Sequence, residues 1–329
     1  MEGGNVLTFE QRHTSVATDY TQGFGEVFTD VAAKLPLQNF LEYSQTVFET
    51  TTNVPYNFGA TTQLLNEIYA YNTFHTGSVR NLYNPDVVAA SELMVDQLAT
   101  KVGKDPYSFR RAFLKDPRAI AALDKAAQVG NWGRSMPQGT AQGIALHGEY
   151  KGWTVALVEI DATPATVNRQ VHGLGGQDGH AVTGPRVTKV VFVIDVGLAI
   201  NPLGLQAQMM GGVMDGIAET LTSSEHLVNG NFQEGSWDQY FYTRQWNVPP
   251  ELEIIVMPPT TGEPGGAGEF GVAASKAAVA CAYARATGKL PTSFPINHDG
   301  PLQFSDTYPR VPPVPQSPTD GLSYSYGPK

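Results

Sequence analysis

The pattern of apolar and polar positions predicts helices that begin at Asx-Pro pairs. An Asn or Asp before Pro is typical of a helix start, because its side chain caps the first turn and Pro fits the first helical position. Four such pairs precede stretches with a helical period, and they start at Asn84, Asp105, Asp116 and Asn201. We therefore predict helices over 85–102, 106–114, 117–128 and 202–221, the third closed by Gly130. A further short helix is predicted over 30–35.

Runs rich in β-branched and aromatic residues predict strands between these helices. The predicted strands are 5–9, 40–50, 142–147, 153–160, 187–196, 225–227, 239–242 and 252–257, and Asn229-Gly230 predicts a hairpin turn. The connection VHGLGGQDGHAVTG is interpreted as a hairpin loop, since its glycine spacing does not fit a dinucleotide-binding turn. His172 and His180 leave a metal site there as the alternative, but no further ligand lies at a fixed spacing, so we predict no metal ligand set. Strands and helices in this order predict an α+β fold with mixed sheets and packed helices.

The segment 258–288 combines a glycine-rich loop with a helix of small residues. Five glycines between positions 262 and 271 shape the loop for close approach to a neighbouring group. The alanine-rich stretch after it predicts a buried helix that stops at Gly288. Glu269 lies just ahead of this helix, where it either complements the helix dipole or acts as a poorly solvated general base. Glu263 in the same loop is the competing carboxylate.

A glycine pair inside a predicted helix and an arginine in a loop are two further features of the sequence. Gly211 and Gly212 interrupt the helix predicted over 202–221, which indicates close packing against backbone or ligand. Gln208 precedes them by one helical turn, and by itself it is a polar residue on the helix surface. Arg80 lies in the loop FHTGSVRNLYNP, where a lone arginine is ordinarily a solvated surface charge.

Composition narrows the class of protein. A chain of 329 residues with 41% hydrophobic content is long enough for two domains or one large one, and we predict units at 1–135 and 136–297 and a proline-rich extended arm at 298–329. The net charge of −10 argues against nucleic acid as a partner. The single cysteine, Cys281, excludes a Cys-ligated iron–sulfur cluster within this sequence and is expected in the core. No apolar run is long enough to span a membrane and no signal peptide is evident. We therefore expect a cytoplasmic protein, or an exported one if a partner carries the signal.

Three motifs resemble those of the molybdenum hydroxylases, the xanthine oxidase and aldehyde oxidase family. The loop GAGEFG fits the pattern G-x-G-E-x-G, the segment from Asp195 to Pro202 fits D-x-G-x-x-x-N-P, and AQMMGG follows it. The resemblance implies the C-terminal half of a molybdopterin-binding domain of the aldehyde oxidase/xanthine dehydrogenase type. It implies that Glu269 is the base beside molybdenum. It also implies cofactor contacts for four residues: Gln208, Arg80, Gly268 and Gly211.

The resemblance covers only part of the family's molybdenum-binding unit. No M-G-Q-G segment is present, and relatives commonly keep a glycine soon after the arginine where this sequence reads Arg80-Asn81-Leu82-Tyr83. The resemblance thus implies a molybdenum–molybdopterin cofactor, in its cytosine dinucleotide form, shared with a second molybdopterin-binding chain. It also implies a small subunit with [2Fe–2S] clusters. The expected reaction is hydroxylation of an aldehyde or N-heteroaromatic carbon with oxygen from water; the alternative is a non-catalytic structural or assembly subunit.

Overall fold

The computed structural model describes residues 3–16, 48, 52–68, 79–172, 180–182, 184–232, 240–243 and 247–297. The helix predicted over 30–35 and the arm at 298–329 lie outside these residues. So does the strand predicted over 40–50, apart from Phe48, which is helical.

A four-stranded mixed sheet is the centre of the fold. Its strands are β3 (Thr140–Glu149), β4 (Gly152–Asp161), β7 (Arg186–Asp195) and β10 (Glu251–Val256). Their order is β10-β7-β4-β3, with β10 parallel to β7 and the other pairs antiparallel. Each strand overlaps a predicted one, which confirms the prediction of a mixed sheet.

Shorter strand pairs flank this sheet. They are β1 (Thr8–Val16) with β2 (Ala60–Ile68), β5 (Gln170–His172) with β6 (His180–Val182), and β8 (Leu227–Val228) with β9 (Asn231–Phe232). The first pair is parallel and the other two are antiparallel. Asn229-Gly230 forms the predicted turn of the last hairpin.

Helices cover both faces of the central sheet. They are α1 (Asn84–Lys101), α2 (Pro106–Phe113), α3 (Pro117–Val129), the single turn α4 (Pro164–Val167), α5 (Pro202–Leu221) and α6 (Val272–Thr287). Helices α5 and α6 pack on one face, where the core includes Ala145, Phe192 and Met209. Helices α2 and α3 pack on the other, where it includes Leu146 and Val193. Neighbouring residues of one strand thus enter opposite cores, as the two-residue period of a strand requires.

Three of the four Asx-Pro signals are confirmed as helix caps. The side chains of Asp105, Asp116 and Asn201 accept hydrogen bonds from backbone N–H groups of the first turns of α2, α3 and α5. Asn84 was wrongly predicted as a cap, because it is itself the first residue of α1 and Tyr83 precedes it. Its side-chain amide instead donates to Glu149 at 3.1 Å.

Two predicted strands need correction. Of the strand predicted over 225–227, only the last residue is in a strand, since β8 begins at Leu227. Residues 240–242 form no strand, because the segment 240–243 is bound to α5 instead. Thr222 donates to the Phe241 carbonyl at 2.6 Å, and Thr243 donates to the Met214 carbonyl at 2.7 Å. Strand β2 was not predicted, because its partner β1 is remote in the sequence.

Both cores contain residues from either side of position 135. The division into units at 1–135 and 136–297 stays a prediction. Among the described residues, no helix combines the length and the apolar character needed to cross a membrane.

Candidate active site

The glycine-rich loop packs closely against the turn at Tyr150 and against helix α5 at Gly212. A Cβ atom on Gly265 would lie 2.6 Å from the Tyr150 carbonyl oxygen, and one on Gly271 would lie 2.6 Å from the Gly212 Cα. Helix α6 follows the loop with every residue from Val272 to Ala282 buried, and it ends at Gly288 in the left-handed conformation. The predictions of a close-packed loop and of a buried helix are therefore confirmed.

Glu269 is held by two hydrogen bonds from different segments. The Asn81 backbone N–H donates to Oε1 at 3.0 Å, and the Tyr150 hydroxyl donates to Oε2 at 2.9 Å. The competing carboxylate, Glu263, has a side chain that is 79% exposed and lies 3.5 Å from Lys151 Nζ. The structure thus distinguishes a fixed, half-buried carboxylate from a solvated one.

The Arg80 loop reaches the site without the glycine found in relatives. Asn81 and Leu82 have φ values of 72° and 48°, in the region that glycine adopts most readily and asparagine tolerates. The Arg80 Nη1 lies 3.1 Å from Asp215 Oδ2 on α5, although this contact does not have hydrogen-bond geometry. A Cβ on Gly211 would lie 3.6 Å from the same Nη1. Arg80 and Gly211 are therefore neighbours.

A buried carboxylate behind the site anchors this loop. Glu149 Oε2 lies within 2.7 Å of Asn81 Nδ2, 3.1 Å of Asn84 Nδ2 and 2.9 Å of His147 Nε2. Because the two asparagines flank the start of α1, this oxygen fixes both the loop and the helix after it. Glu149 occupies the last position of β3, immediately before Tyr150.

Gln208 connects α5 to the glycine-rich loop. Its side-chain amide donates to the Gly268 carbonyl at 2.6 Å, while the residue remains exposed. About one turn further along α5, a Cβ on Gly212 would lie 2.7 Å from the Gly271 Cα. The close packing predicted from the paired glycines is confirmed for Gly212.

An open pocket of about 460 Å³ adjoins this connection. Its lining includes Leu198, Asn201, Leu205, Gln208, Pro264 and Gly268. A Cβ on Gly268 would meet no atom within 4 Å, so this part of the loop faces free space. The structure therefore brings Gln208 and Gly268 to one pocket, with Arg80 and Gly211 near each other further along α5.

Asp195 is a buried carboxylate that connects the start of the glycine-rich loop to the turn at Tyr150. It accepts from Arg118 Nη2 at 2.6 Å, from the Gly197 N–H at 2.8 Å and from the Thr260 hydroxyl at 2.7 Å. Burial by itself raises the pKa of Asp195, but these hydrogen bonds outweigh it and the net pKa is lowered. Arg118 also donates to the Lys151 carbonyl at 3.0 Å, so the same guanidinium holds the turn that carries Tyr150.

Tyr150 and Asn81 were not singled out from the sequence. Tyr150 is 119 positions from Glu269, and no local pattern connects them. The available signal is the tight connection EYKG between two strong strands, whose two central residues are neither the Asn nor the Gly that such a turn favours. The side chains of His172 and His180 are outside the described set, although their backbones pair across the β5–β6 hairpin. Among the side chains that are described, no group of three or more His, Cys, Asp or Glu could hold a metal ion.

The sequence of this chain is similar to those of known molybdopterin-binding proteins. A molybdopterin cofactor-binding domain family matches residues 182–249, which include α5 and Gln208. The beta subunit of isoquinoline 1-oxidoreductase from Brevundimonas diminuta is 28% identical over 222 residues, covering 66% of this chain and 26% of the relative. One subunit of nicotinate dehydrogenase from Pseudomonas putida is 28% identical over 210 residues, covering 63% of this chain and 17% of that relative.

The fold has a counterpart among solved structures. The aldehyde oxidoreductase from Desulfovibrio desulfuricans superimposes with a TM-score of 0.59 at 12% identity, covering 87% of this chain and 46% of that one. At this identity the match concerns the fold alone. It agrees with the α+β class predicted from the sequence.

The chain is therefore similar to molybdopterin-binding subunits of this kind, and the similarity confirms the resemblance of its motifs to the molybdenum hydroxylase family. It spans about a quarter or less of the length of these two curated relatives, at 26% and 17%.

Proposed function

We propose that this chain is a subunit of a molybdenum-dependent oxidoreductase that hydroxylates an aldehyde or an N-heteroaromatic carbon, with water as the oxygen source and Glu269 as the base. The observation that carries the proposal is the hold on Glu269, with one donor on each carboxylate oxygen at 3.0 and 2.9 Å. A carboxylate that served only to complement a helix dipole would need neither partner.

The predicted cofactor contacts suit a large polar group. Gln208 and Gly268 border the open pocket, and Gly211 lies beside the Arg80 guanidinium on the exposed surface of α5. A glycine, an amide and a guanidinium are the groups that can approach and bind the phosphates and amides of a pterin dinucleotide. We assign Gln208, Arg80, Gly268 and Gly211 to the binding of a molybdenum–molybdopterin cofactor in its cytosine dinucleotide form. When bound, that cofactor supplies the two-electron oxidation and the site at which water-derived oxygen reaches the substrate.

Glu269 moves the proton in this scheme. Each carboxylate oxygen has two lone-pair sites and uses one for its present donor, so each retains the capacity to accept a proton. Gly268 leaves space beside the carboxylate, and the buried helix α6 begins directly after the loop and excludes water from one side. Glu269 can therefore take a proton from the attacking oxygen while keeping its orientation.

The partners follow from what the chain does not supply. The single cysteine, Cys281, is fully buried on α6, and burial raises the pKa of its thiol well above the usual value. We propose that a small [2Fe–2S] subunit accepts the electrons, and that a second molybdopterin-binding chain completes the pocket around the cofactor. A cytoplasmic location stays a prediction from the sequence.

Replacement of Glu269 tests the proposal. Glu269→Gln keeps the volume, and the Tyr150 hydroxyl can rotate to accept from the new amide, but the proton acceptor is lost. Turnover by the purified complex should fall by about 10²- to 10⁴-fold at unchanged molybdenum content. Glu263→Gln is the matched control in the same loop and should leave turnover near that of the wild type. Full turnover in Glu269→Gln would instead support the non-catalytic assembly role, and an exchange of the two phenotypes would move the base to Glu263.

Replacement of Gln208 tests the cofactor contacts. Gln208→Ala removes an amide that we place at the cofactor and that also holds the Gly268 carbonyl, so the molybdenum content of the complex should fall several-fold. Gln206→Ala is the control, because Gln206 lies on the same helix and donates to the Ile254 carbonyl at 3.2 Å. Equal molybdenum content in the two variants would remove Gln208 from the cofactor site.

A further inference from the structure

Tyr150 occupies an energetically unfavourable turn. Glu149 pairs with Gly152, so Tyr150 and Lys151 are the two central residues of the β3–β4 hairpin, and their φ values are 46° and 65°. Asn-Gly is the usual choice for such a turn, because the Cβ of most other residues lies too close to the following carbonyl oxygen in the left-handed region. Strain of this kind commonly marks a position whose side chain has a functional role.

The glycine-rich loop is shaped around this residue. The Gly266 N–H donates to the Tyr150 carbonyl at 3.0 Å, and a Cβ on Gly266 would lie 2.8 Å from the Tyr150 Cβ. The Tyr150 ring meets the Phe270 ring edge-on, with centroids 6.1 Å apart. Backbone and ring are thus both fixed, and the phenol oxygen has little freedom to move away from Glu269.

Both donors to Glu269 come from strained backbone. Asn81 has a φ of 72° and Tyr150 a φ of 46°, and neither is glycine. Asn81 contributes a main-chain N–H, which a substitution cannot remove without changing the loop. Tyr150 contributes a side-chain hydroxyl, which a single substitution can remove.

We propose that Tyr150 is a positioning residue for Glu269, whose phenol hydroxyl orients the carboxylate. This inference rests on the proposed role of Glu269 as the base. Burial, with the charges of Glu149 and Glu269, raises the pKa of Tyr150 well above its usual value, so the hydroxyl remains a donor throughout the working range.

Other titratable groups surround this pair. Glu149 and His147 lie behind it on β3, Lys151 and Glu263 form an exposed ion pair beside it, and Arg80 precedes the Asn81 loop with Asp215 as its partner. A variant that tests the role of Tyr150 therefore has to leave these groups in place.

Tyr150→Phe in the cofactor-loaded complex is the test, because it keeps the ring contact with Phe270 and removes only the hydroxyl. We expect kcat to fall about 10- to 100-fold with KM changed less than about twofold, since a misplaced reacting group costs rate rather than binding. Tyr107→Phe is the matched control, since Tyr107 donates to Asp124 at 2.8 Å away from the site.

A structural measurement separates this inference from the proposed function. In a crystal structure of the Tyr150→Phe complex, we expect the Glu269 carboxylate to turn away from its position beside the Asn81 N–H. Two results would overturn the positioning role and leave the proposed function intact. One is an unmoved carboxylate in Tyr150→Phe, and the other is a wild-type kcat in Tyr150→Phe while Glu269→Gln is inactive. A displaced carboxylate with full activity in Glu269→Gln would keep the positioning role and overturn the function.

Discussion

Two hairpin turns of this chain both have positive φ values at their central residues, but they differ in how well those residues suit this conformation. Asn229-Gly230 joins β8 to β9 with φ values of 51° and 79°, and Tyr150-Lys151 joins β3 to β4 with 46° and 65°. Both turns are exposed, and the first uses the residues that its conformation favours. The second uses residues that disfavour it, and it carries the hydroxyl that contacts Glu269. Local preference is followed where the turn only reverses the chain, and it is overridden where the turn holds the site.

Arg118 clamps the Tyr150-Lys151 turn to Asp195, and loss of this clamp should have the largest effect on stability. Arg118→Met keeps much of the apolar stem but leaves Asp195, which is 1% exposed, without its ionic partner and frees the Lys151 carbonyl. Breaking a largely buried pair should lower the free energy of unfolding by about 3 kcal/mol. Chemical denaturation of the complex measures it. Arg111→Met is the control, because its ion pair with Asp124 is exposed and should contribute much less to stability.

The same clamp should govern stability in acid. Because the folded pKa of Asp195 is lowered, its contribution is present above the unfolded pKa and is lost as pH falls through the folded value. In Arg118→Met the largest of the lowering causes is gone, while burial and the hydrogen bonds from Gly197 and Thr260 remain, so the loss should begin at higher pH. Acid-unfolding curves of the two proteins should therefore separate, with the variant unfolding first, and coincident curves would contradict this account.

Relief of the turn strain should have the smallest and most informative effect. Lys151→Gly removes one unfavourable left-handed residue and should raise the free energy of unfolding by about 1 kcal/mol at unchanged turnover. Its exposed ion pair with Glu263 contributes little. Tyr150→Asn relieves the neighbouring residue but removes the phenol, so turnover should fall. Thermal unfolding and turnover, measured together, would contradict the comparison if both variants behaved alike.

Short-range signals account for what the sequence could predict. Asp105, Asp116 and Asn201 cap their helices because donor and acceptor lie within three residues, and Gly288 ends α6 by its own conformation. Glycine density likewise located the Glu269 loop. The family resemblance, rather than any spacing, directed attention to Gln208 and Arg80.

Long-range partners account for what it could not predict. Asn84 carries the same cap signal as Asp105, but Glu149, 65 positions away, engages its amide. Tyr150 meets Glu269 across 119 positions, and β2 pairs with β1 in a register that brings Ala60 to Thr8. No propensity within one segment contains these contacts, because each depends on where the sheet places the second partner.

The contact between Gly212 and Gly271 limits how the site can be redesigned. Added Cβ atoms would lie 2.7 Å and 2.6 Å from the opposite Cα, so main chain meets main chain where α5 passes the start of α6. Repacking of side chains elsewhere cannot widen this gap by small steps, because no side chain sets it. A change in the shape of the pocket therefore has to be made at side chains that line it, such as Leu198 and Leu205, and leave the spacing of the two helices as it is.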